Sequence, residues 1–396
     1  MGRLKRAMYG TRDAPLIWQK TLRKVLNNLG FQNSVTTACL YFHKGRDLQV
    51  VAHVDDLLVT GELTELEWLS QALAKEFSVK TSILGPGAEG RRGECTDGRD
   101  DGAGPHVRRG VSLGRIIEWH EKGLSWEGDQ KHVQKLLEEG GLELANGVLT
   151  PGVSPKTSPG EASASDEEPL SPQEQKEYRR GAAMLNYVAQ DRPDMPFAAK
   201  EVSRWMSAPT AGSAASFKRA VRYLRAQPRT RMWYEWQEPV SSLRVFSDSD
   251  WAGCVKTRRS TTGGVIMAGQ HWLGHWSRTQ ANVALSSGEA ELNAAVTACS
   301  EGRGLKNMVE EMHDEIELEV IGDSSASMGI LNRMGAGRVK HLEVKQLWVQ
   351  EAVARKVVKV SKIPRRFNLA DSLTHHWTRP GGTPHFWRMS LEWVND

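Results

Sequence analysis

Cysteine is scarce in this chain and scattered: Cys39, Cys95, Cys254 and Cys299 are its four, and no two form a C-x-x-C pair. That excludes a zinc knuckle or a disulfide framework as the organising device, and a reducing compartment is the simpler setting. Long apolar runs are missing too. No stretch approaches the roughly 18 residues that a membrane span needs, and the amino terminus has no signal-peptide core. The expectation is an intracellular chain, cytoplasmic or nuclear, neither secreted nor partnered with a membrane. No sign of charge dominates: 52 Lys and Arg against 48 Asp and Glu leave a formal net charge of +4. That mild basicity permits a nucleic-acid partner without requiring one. No internal repeat is visible. What remains is 396 residues, enough for two or three domains with sizeable cores.

Two stretches interrupt the patterning. Residues 85–104 (GPGAEGRRGECTDGRDDGAG) hold almost nothing apolar and are expected to be a disordered insertion. Residues 150–173, rich in Pro, Ser, Gly and acid, read as an inter-domain linker. Residues 48–60 (LQVVAHVDDLLVT) are two short apolar strands separated by Asp55 and Asp56, a hairpin with acids at its tip. Helical spacing marks 174–190 through Tyr178, Met184, Leu185 and Val188, and 214–226 through Phe217, Val221 and Leu224. From Leu243 onward LRVFS, GGVIMA and NVALS read as three strands, with further β-like material around Trp272 to Trp276. A helix over 288–312, a strand over 318–322, helices near 324–333 and 340–355, a strand over 356–361 and a short last helix follow. The order βββ-α-β-α-β-α predicts an α/β fold, a mixed sheet with flanking helices.

The acids at the ends of these elements carry the chemical signal. Asp248 and Asp250 follow the first strand, Glu289 and Glu291 begin the long helix, Asp323 ends the fourth strand and Asp371 begins the last helix. Taken singly, an acid after a strand is an ordinary turn or cap residue. Glu289 has such a reading, since Ser286 and Glu289 fit the S-x-x-E capping box, which leaves Glu291 as the better ligand. Asp250 likewise reads as a turn acid. A sheet nevertheless gathers strand ends, and several carboxylates brought together repel one another unless divalent metal neutralises them. Oxygen-only ligands suit Mg²⁺ or Mn²⁺ rather than zinc, and such ions suit phosphodiester hydrolysis.

Five blocks, FSDSDWAGCVKTRRSTTGG (246–264), SRTQANVALSSGEAELNAAV (277–296), EVIGDSSASMGIL (319–331), VKHLEVKQLWVQE (339–351) and FNLADSLT (367–374), resemble in order and spacing the ribonuclease H domain of copia-type long-terminal-repeat retrotransposons. The resemblance implies a ribonuclease H-like fold over residues 240–380. It implies Asp248, Glu291, Asp323 and Asp371 as a catalytic tetrad that binds two Mg²⁺ and cleaves the RNA strand of an RNA–DNA hybrid to 3′-hydroxyl and 5′-phosphate ends. Cys254 stands where the family commonly has an acid. Upstream, LKRAMYGTRDAPLIWQKTL (4–22) and AHVDDLLVTG (52–61) resemble the family's reverse transcriptase, and YRRGAAMLNYVAQDRPDMPFAAKEVSRWMSAP (178–209) resembles its connecting region. The organisation this implies is a partial α+β palm and thumb over 1–149, the linker, a helical connection over 174–236, and the ribonuclease H domain.

In the hairpin, Asp55 and Asp56 are the implied polymerase metal ligands, with His53 where the family places an aromatic residue, usually Tyr. The family's third aspartate and its fingers belong to sequence before residue 1, so an upstream reverse-transcriptase portion is an expected partner and this chain alone is not expected to polymerise DNA. Arg338, Lys340, His341 and Lys345, with Arg355, Lys356, Lys359, Lys362, Arg365 and Arg366, form the candidate nucleic-acid surface. An ordinary solvated face would look the same. His341, His375 and His376 are candidates for assisting proton transfer, against a commoner reading as surface histidines. Two rivals to a hybrid-cleaving enzyme stand beside it: a non-catalytic retroelement remnant, and a nucleic-acid-binding module that has lost turnover.

Overall fold

The structure, a computed structural model, describes residues 8, 10–85, 106–153, 167–313, 315–335, 344–377, 389 and 391–394. The expected insertion at 85–104, apart from Gly85, and residues 154–166 of the expected linker lie outside these. The chain divides into two compact units, Met1–Leu113 with Gly304–Ile316, and Gly114–Arg303 with Glu317–Asp396.

In the first unit the strands Gln32–Asn33, Leu40–His43, Leu48–His53 and Asp56–Thr60 form an antiparallel sheet in sequence order. Leu48 and Val50 alternate onto one face. Against it lie the helices Ala14–Asn28 and Leu63–Ala74, which bury Leu22 with Leu26 and Leu69 with Leu73, pairs one helical turn apart.

The second unit is built on a five-stranded mixed sheet. Strand β1 (Ser242–Ser249) is central, β2 (Thr261–Ala268) pairs antiparallel with it, and β3 (His271–Thr279) pairs antiparallel with β2. On the other side β4 (Glu317–Gly322) runs parallel to β1 and β5 (Lys359–Lys362) parallel to β4. The spatial order 3-2-1-4-5 is the ribonuclease H-like topology. Helix α1 (Ser287–Met312) links β3 to β4, while α2 (Ser325–Leu331) and α3 (Val344–Ala354) lie between β4 and β5. The buried residues of α1 are mostly small, Ala290, Ala294, Ala295, Ala298 and Gly302, with Leu292 and Cys299 among them. A Cβ on Gly302 would meet Leu318 and Val245 at 2.7 and 2.8 Å, so the helix sits as close as a missing side chain allows.

Several elements differ from the sequence expectation. The third strand is β3, not Asn282–Ser286, which is loop. NVALS has strand periodicity, but Val283 and Leu285 are exposed, whereas Trp272 and Trp276 of β3 are buried. Burial of two indoles outweighs a local period of two. The last helix is a short 3₁₀ segment, Leu369–Leu373, and β5 begins at Lys359 rather than 356.

The helices Pro172–Val188, Pro196–Ser203 and Ala211–Ala226 share one core with the mixed sheet. Leu185, Val188 and Leu224 pack in the same cluster as Phe246, Val265, Met267 and Leu373. Within it lies a buried polar network. Arg192 grips Asp194 through two bonds of 2.9 and 2.7 Å, Tyr223 donates to Asp194 at 2.8 Å, and Arg192 also reaches the Gln227 carbonyl. Burial works against the Asp194 carboxylate, yet Arg192 and Tyr223 outweigh it and hold its pKa below the usual range.

Candidate active site

The sheet register assembles the site. Phe246 of β1 pairs with Ile321 of β4 in parallel, so two residues further on Asp248 and Asp323 leave the ends of adjacent strands together. Helix α1 begins nearby and adds Glu291. Ligand oxygens of Asp248, Glu291 and Asp323 all lie within 4.8 Å of one another, in a cleft of about 610 Å³ also lined by Asp250, Trp251 and Arg365.

Asp248 is buried, accepting from Thr374 Oγ1 at 2.5 Å and from Asn368 Nδ2 at 3.5 Å. Asn368, fully buried, also donates to the Ser247 carbonyl at 2.9 Å, which ties the 3₁₀ segment to the end of β1. Burial, with the charges of Asp371 and Asp323, pushes the Asp248 carboxyl up to about 7 against the Thr374 bond. Burial and then the charges of Asp248 and Asp323 push Glu291 up to about 9. Asp323 is raised as well, chiefly by burial, with Arg365 opposing. Asp371 is not drawn into the group of three. Its carboxylate pairs with Arg365 Nε at 2.7 Å and stands 3.9 Å from His375 Nε2.

The raised carboxyls of Asp248 and Glu291 make stability depend on pH. Asp248 and Glu291 hold protons more tightly folded than unfolded, so their contribution to stability is complete below about pH 4. It is lost as pH rises through about 7 and then about 9. The melting temperature of the metal-free chain should therefore fall across that window, and Glu291→Gln should flatten the fall. Parallel pH profiles for wild type and variant would contradict this.

Glu289 behaves as a cap, its backbone N–H donating to Ser286 Oγ at 3.2 Å and its carboxylate accepting from the Leu285 N–H at 2.8 Å. The acceptance is one residue before the cap position expected from the motif. Asp250 accepts from the Thr261 N–H eleven residues on, tying the end of β1 to the start of β2 rather than closing a local turn. Buried Cys254 accepts from the Thr257 N–H at 3.4 Å, so the thiol does within its loop what a short acid would do. In the first unit Asp55 and Asp56 lie exposed at a hairpin closed by the His53–Asp56 pair, and they join no group of three ligands among the described residues. Arg338, Lys340 and His341 lie outside the described residues, and of Lys345 only its place in α3 is described. Asn368 and Thr374 stood inside a quoted motif, but nothing in an Asn or a Thr of the sequence marks it as a carboxylate's partner. Arg365, expected on the basic surface, pairs with Asp371 and lines the acid cleft.

A sequence model of the reverse transcriptase (RNA-dependent DNA polymerase) family matches residues 1–86. Over 95% of its length the chain is 28% identical to the "Retrovirus-related Pol polyprotein from transposon RE2" of Arabidopsis thaliana. Over 94% it is 26% identical to that from transposon TNT 1-94 of Nicotiana tabacum. Over nearly its whole length the chain is similar to copia-type retrotransposon Pol polyproteins. It spans about a quarter of the length of these relatives, 24% and 27% respectively. The chain is also similar to the crystal structure of LC11-RNase H1 in complex with RNA/DNA hybrid, at 19% identity. The match covers 34% of this chain and 94% of that one, with a TM-score of 0.25. Strand order, not this likeness, fixes its fold. No helix among the described residues is long and apolar enough to cross a membrane.

Proposed function

We propose that the mixed-sheet region of this chain is a ribonuclease H that cleaves the RNA strand of RNA–DNA hybrids with divalent metal. The observation that carries the reading is the convergence of Asp248, Glu291 and Asp323 within 4.8 Å in an open cleft. The donor set fits: three hard carboxylates with no nitrogen or sulfur ligand match Mg²⁺ or Mn²⁺. Bound there, two such ions would offset the carboxylate charge and lower the pKa of the attacking water.

The residues themselves divide the remaining work. Asp248, Glu291 and Asp323 would hold the metal, with Asp371, paired with Arg365, as the fourth carboxylate of the set. Thr374 and Asn368 fix the Asp248 carboxylate, so the ligand is oriented before substrate arrives. Arg365 and Lys362 bring positive charge to the rim for the scissile phosphate, and His375 Nε2 is placed to carry a proton at the mouth of the cleft. In the same reading residues 1–149 are a partial reverse-transcriptase palm and thumb, with Asp55 and Asp56 as its metal carboxylates, 150–173 a linker and 174–236 the connection.

One observation favours the rival without turnover: Asp371 is engaged by Arg365. The test that separates them offers the full chain an RNA–DNA hybrid, the same RNA single-stranded, and the same sequence as duplex DNA. Shortening of the RNA strand in the hybrid alone, with 3′-hydroxyl and 5′-phosphate ends, is expected. Binding without cleavage would establish the rival, and cutting of the DNA strand would overturn both.

A further inference from the structure

An acidic cleft repels a polyanion, so cations around it must hold the strand in place. Those grouped in the sequence after residue 338 do so only in part. Among the described residues Arg355 and Lys359 are paired with Glu351 and Glu319. The loop from Asp250 to Ser260, which joins β1 to β2, differs. It leaves the acid cluster directly, through Asp250 and Trp251, both of which line the cleft.

That loop is pinned from inside. The Arg258 N–H donates to the Cys254 carbonyl at 2.7 Å, the Ala252 N–H to Ser260 Oγ at 2.9 Å, and the Thr257 N–H to Cys254 Sγ. Ala252 and Arg258 both hold a left-handed φ of 54°, which non-glycine residues keep only where the surroundings dictate it. Outward, Lys256, Arg258 and Arg259 are exposed. Lys256 Nζ rests 4.8 Å from the Trp205 ring, while Arg258 and Arg259 make no ion pair among the described residues. The nearby acid, Glu201, already pairs with Lys200 and Arg204.

Trp251 is 55% exposed, although it is the largest side chain on the rim. Its Nε1 donates to the Ala284 carbonyl at 3.1 Å, which fixes the edge of the indole while over half of the residue stays exposed. A single exposed apolar residue needs no explanation. An indole fixed at its edge, beside an acid cleft and on the same pinned loop as two uncompensated guanidiniums, has the composition of a strand-binding platform: a stacking surface with phosphate-binding cations.

We propose that the β1–β2 loop is a nucleic-acid platform, on which Trp251 stacks against a nucleotide of the strand leaving the cleft while Arg258 and Arg259 take its phosphates. This rests on the reading of the cleft as a hybrid-cleaving site. The test measures binding of a fluorescently labelled RNA–DNA hybrid to the full chain in Ca²⁺, with cleavage followed separately in Mg²⁺. The double variant Arg258→Ala/Arg259→Ala should weaken binding about tenfold at moderate salt and lower the slope of log affinity against log salt by about 2. Trp251→Ala should weaken binding about tenfold with the slope unchanged, and Trp251→Phe should recover most of the loss. The losses should appear in KM, with kcat retained at saturating hybrid. Affinities within twofold of wild type, or an unchanged slope in the arginine variant, would overturn the platform. A hybrid that binds with the expected losses but is never cut would sink the cleavage reading and leave the platform. One that is cut with unchanged affinity and KM would do the reverse.

Discussion

Glu291→Gln is expected to lower hybrid cleavage by at least about three orders of magnitude while leaving the metal-free fold as stable as wild type or about 1 kcal/mol more so. The two effects have one cause. Glu291 stands in a half-buried position within 4.8 Å of two other carboxylates, and burial with those charges raises its carboxyl to about 9. Removing a negative charge relieves repulsion within the cluster, and under the proposed function it also removes a metal ligand. Glu289→Gln is the internal control. Its amide can still accept from the Leu285 N–H, so it should cost well under about 1 kcal/mol and leave cleavage nearly intact. Melting curves without metal, set beside rates over a Mg²⁺ titration, check both. If Glu289→Gln abolished cleavage while Glu291→Gln remained active, the ligand set would have to be redrawn around Glu289.

The second large effect lies away from the cleft. Asp194→Ala should destabilise the second unit by about 3–5 kcal/mol, because it leaves the Arg192 guanidinium buried without its counter-charge. The side chains concerned are 6% and 0% exposed, so water cannot replace the lost partner. Tyr223→Phe removes one of the bonds to Asp194 and should cost only about 1 kcal/mol. Because Tyr223 and Leu224 share a core cluster with Phe246, Val265 and Leu373, the Asp194 variant should lose cleavage along with its fold. Urea unfolding of the full chain measures this, and a loss below about 1 kcal/mol for Asp194→Ala would show that the network is dispensable.

The contrast between these two places shows what could be read in the sequence. That acids would gather at the strand ends was legible from element boundaries, while the choice of Asp248, Glu291, Asp323 and Asp371 among them came from the family resemblance; the structure brings the first three together. The hairpin around Asp55 and Asp56 was legible from two short apolar runs on either side of an acid pair. NVALS was misread because alternation over five residues also occurs in a loop whose apolar residues face solvent. Arg192 and Asp194 look like surface residues in QDRPDM, since nothing local says that Tyr223, some thirty residues on, will close over them. The Arg365–Asp371 pair was hidden in a run of cations that composition alone cannot sort into paired and free. Long-range pairing decides each of these, and a local pattern carries no record of it.

The claim on which the account turns is that the carboxylate cluster cuts through divalent metal. The most direct test is the rate of RNA-strand cleavage in a hybrid by the full chain in Mg²⁺, Mn²⁺, Ca²⁺ and EDTA. Cleavage in Mg²⁺ and Mn²⁺, little or none in Ca²⁺, and none in EDTA is the expected result, because small octahedral ions suit the site and larger, more loosely coordinated Ca²⁺ does not. Cleavage in EDTA equal to that in Mg²⁺ would contradict it.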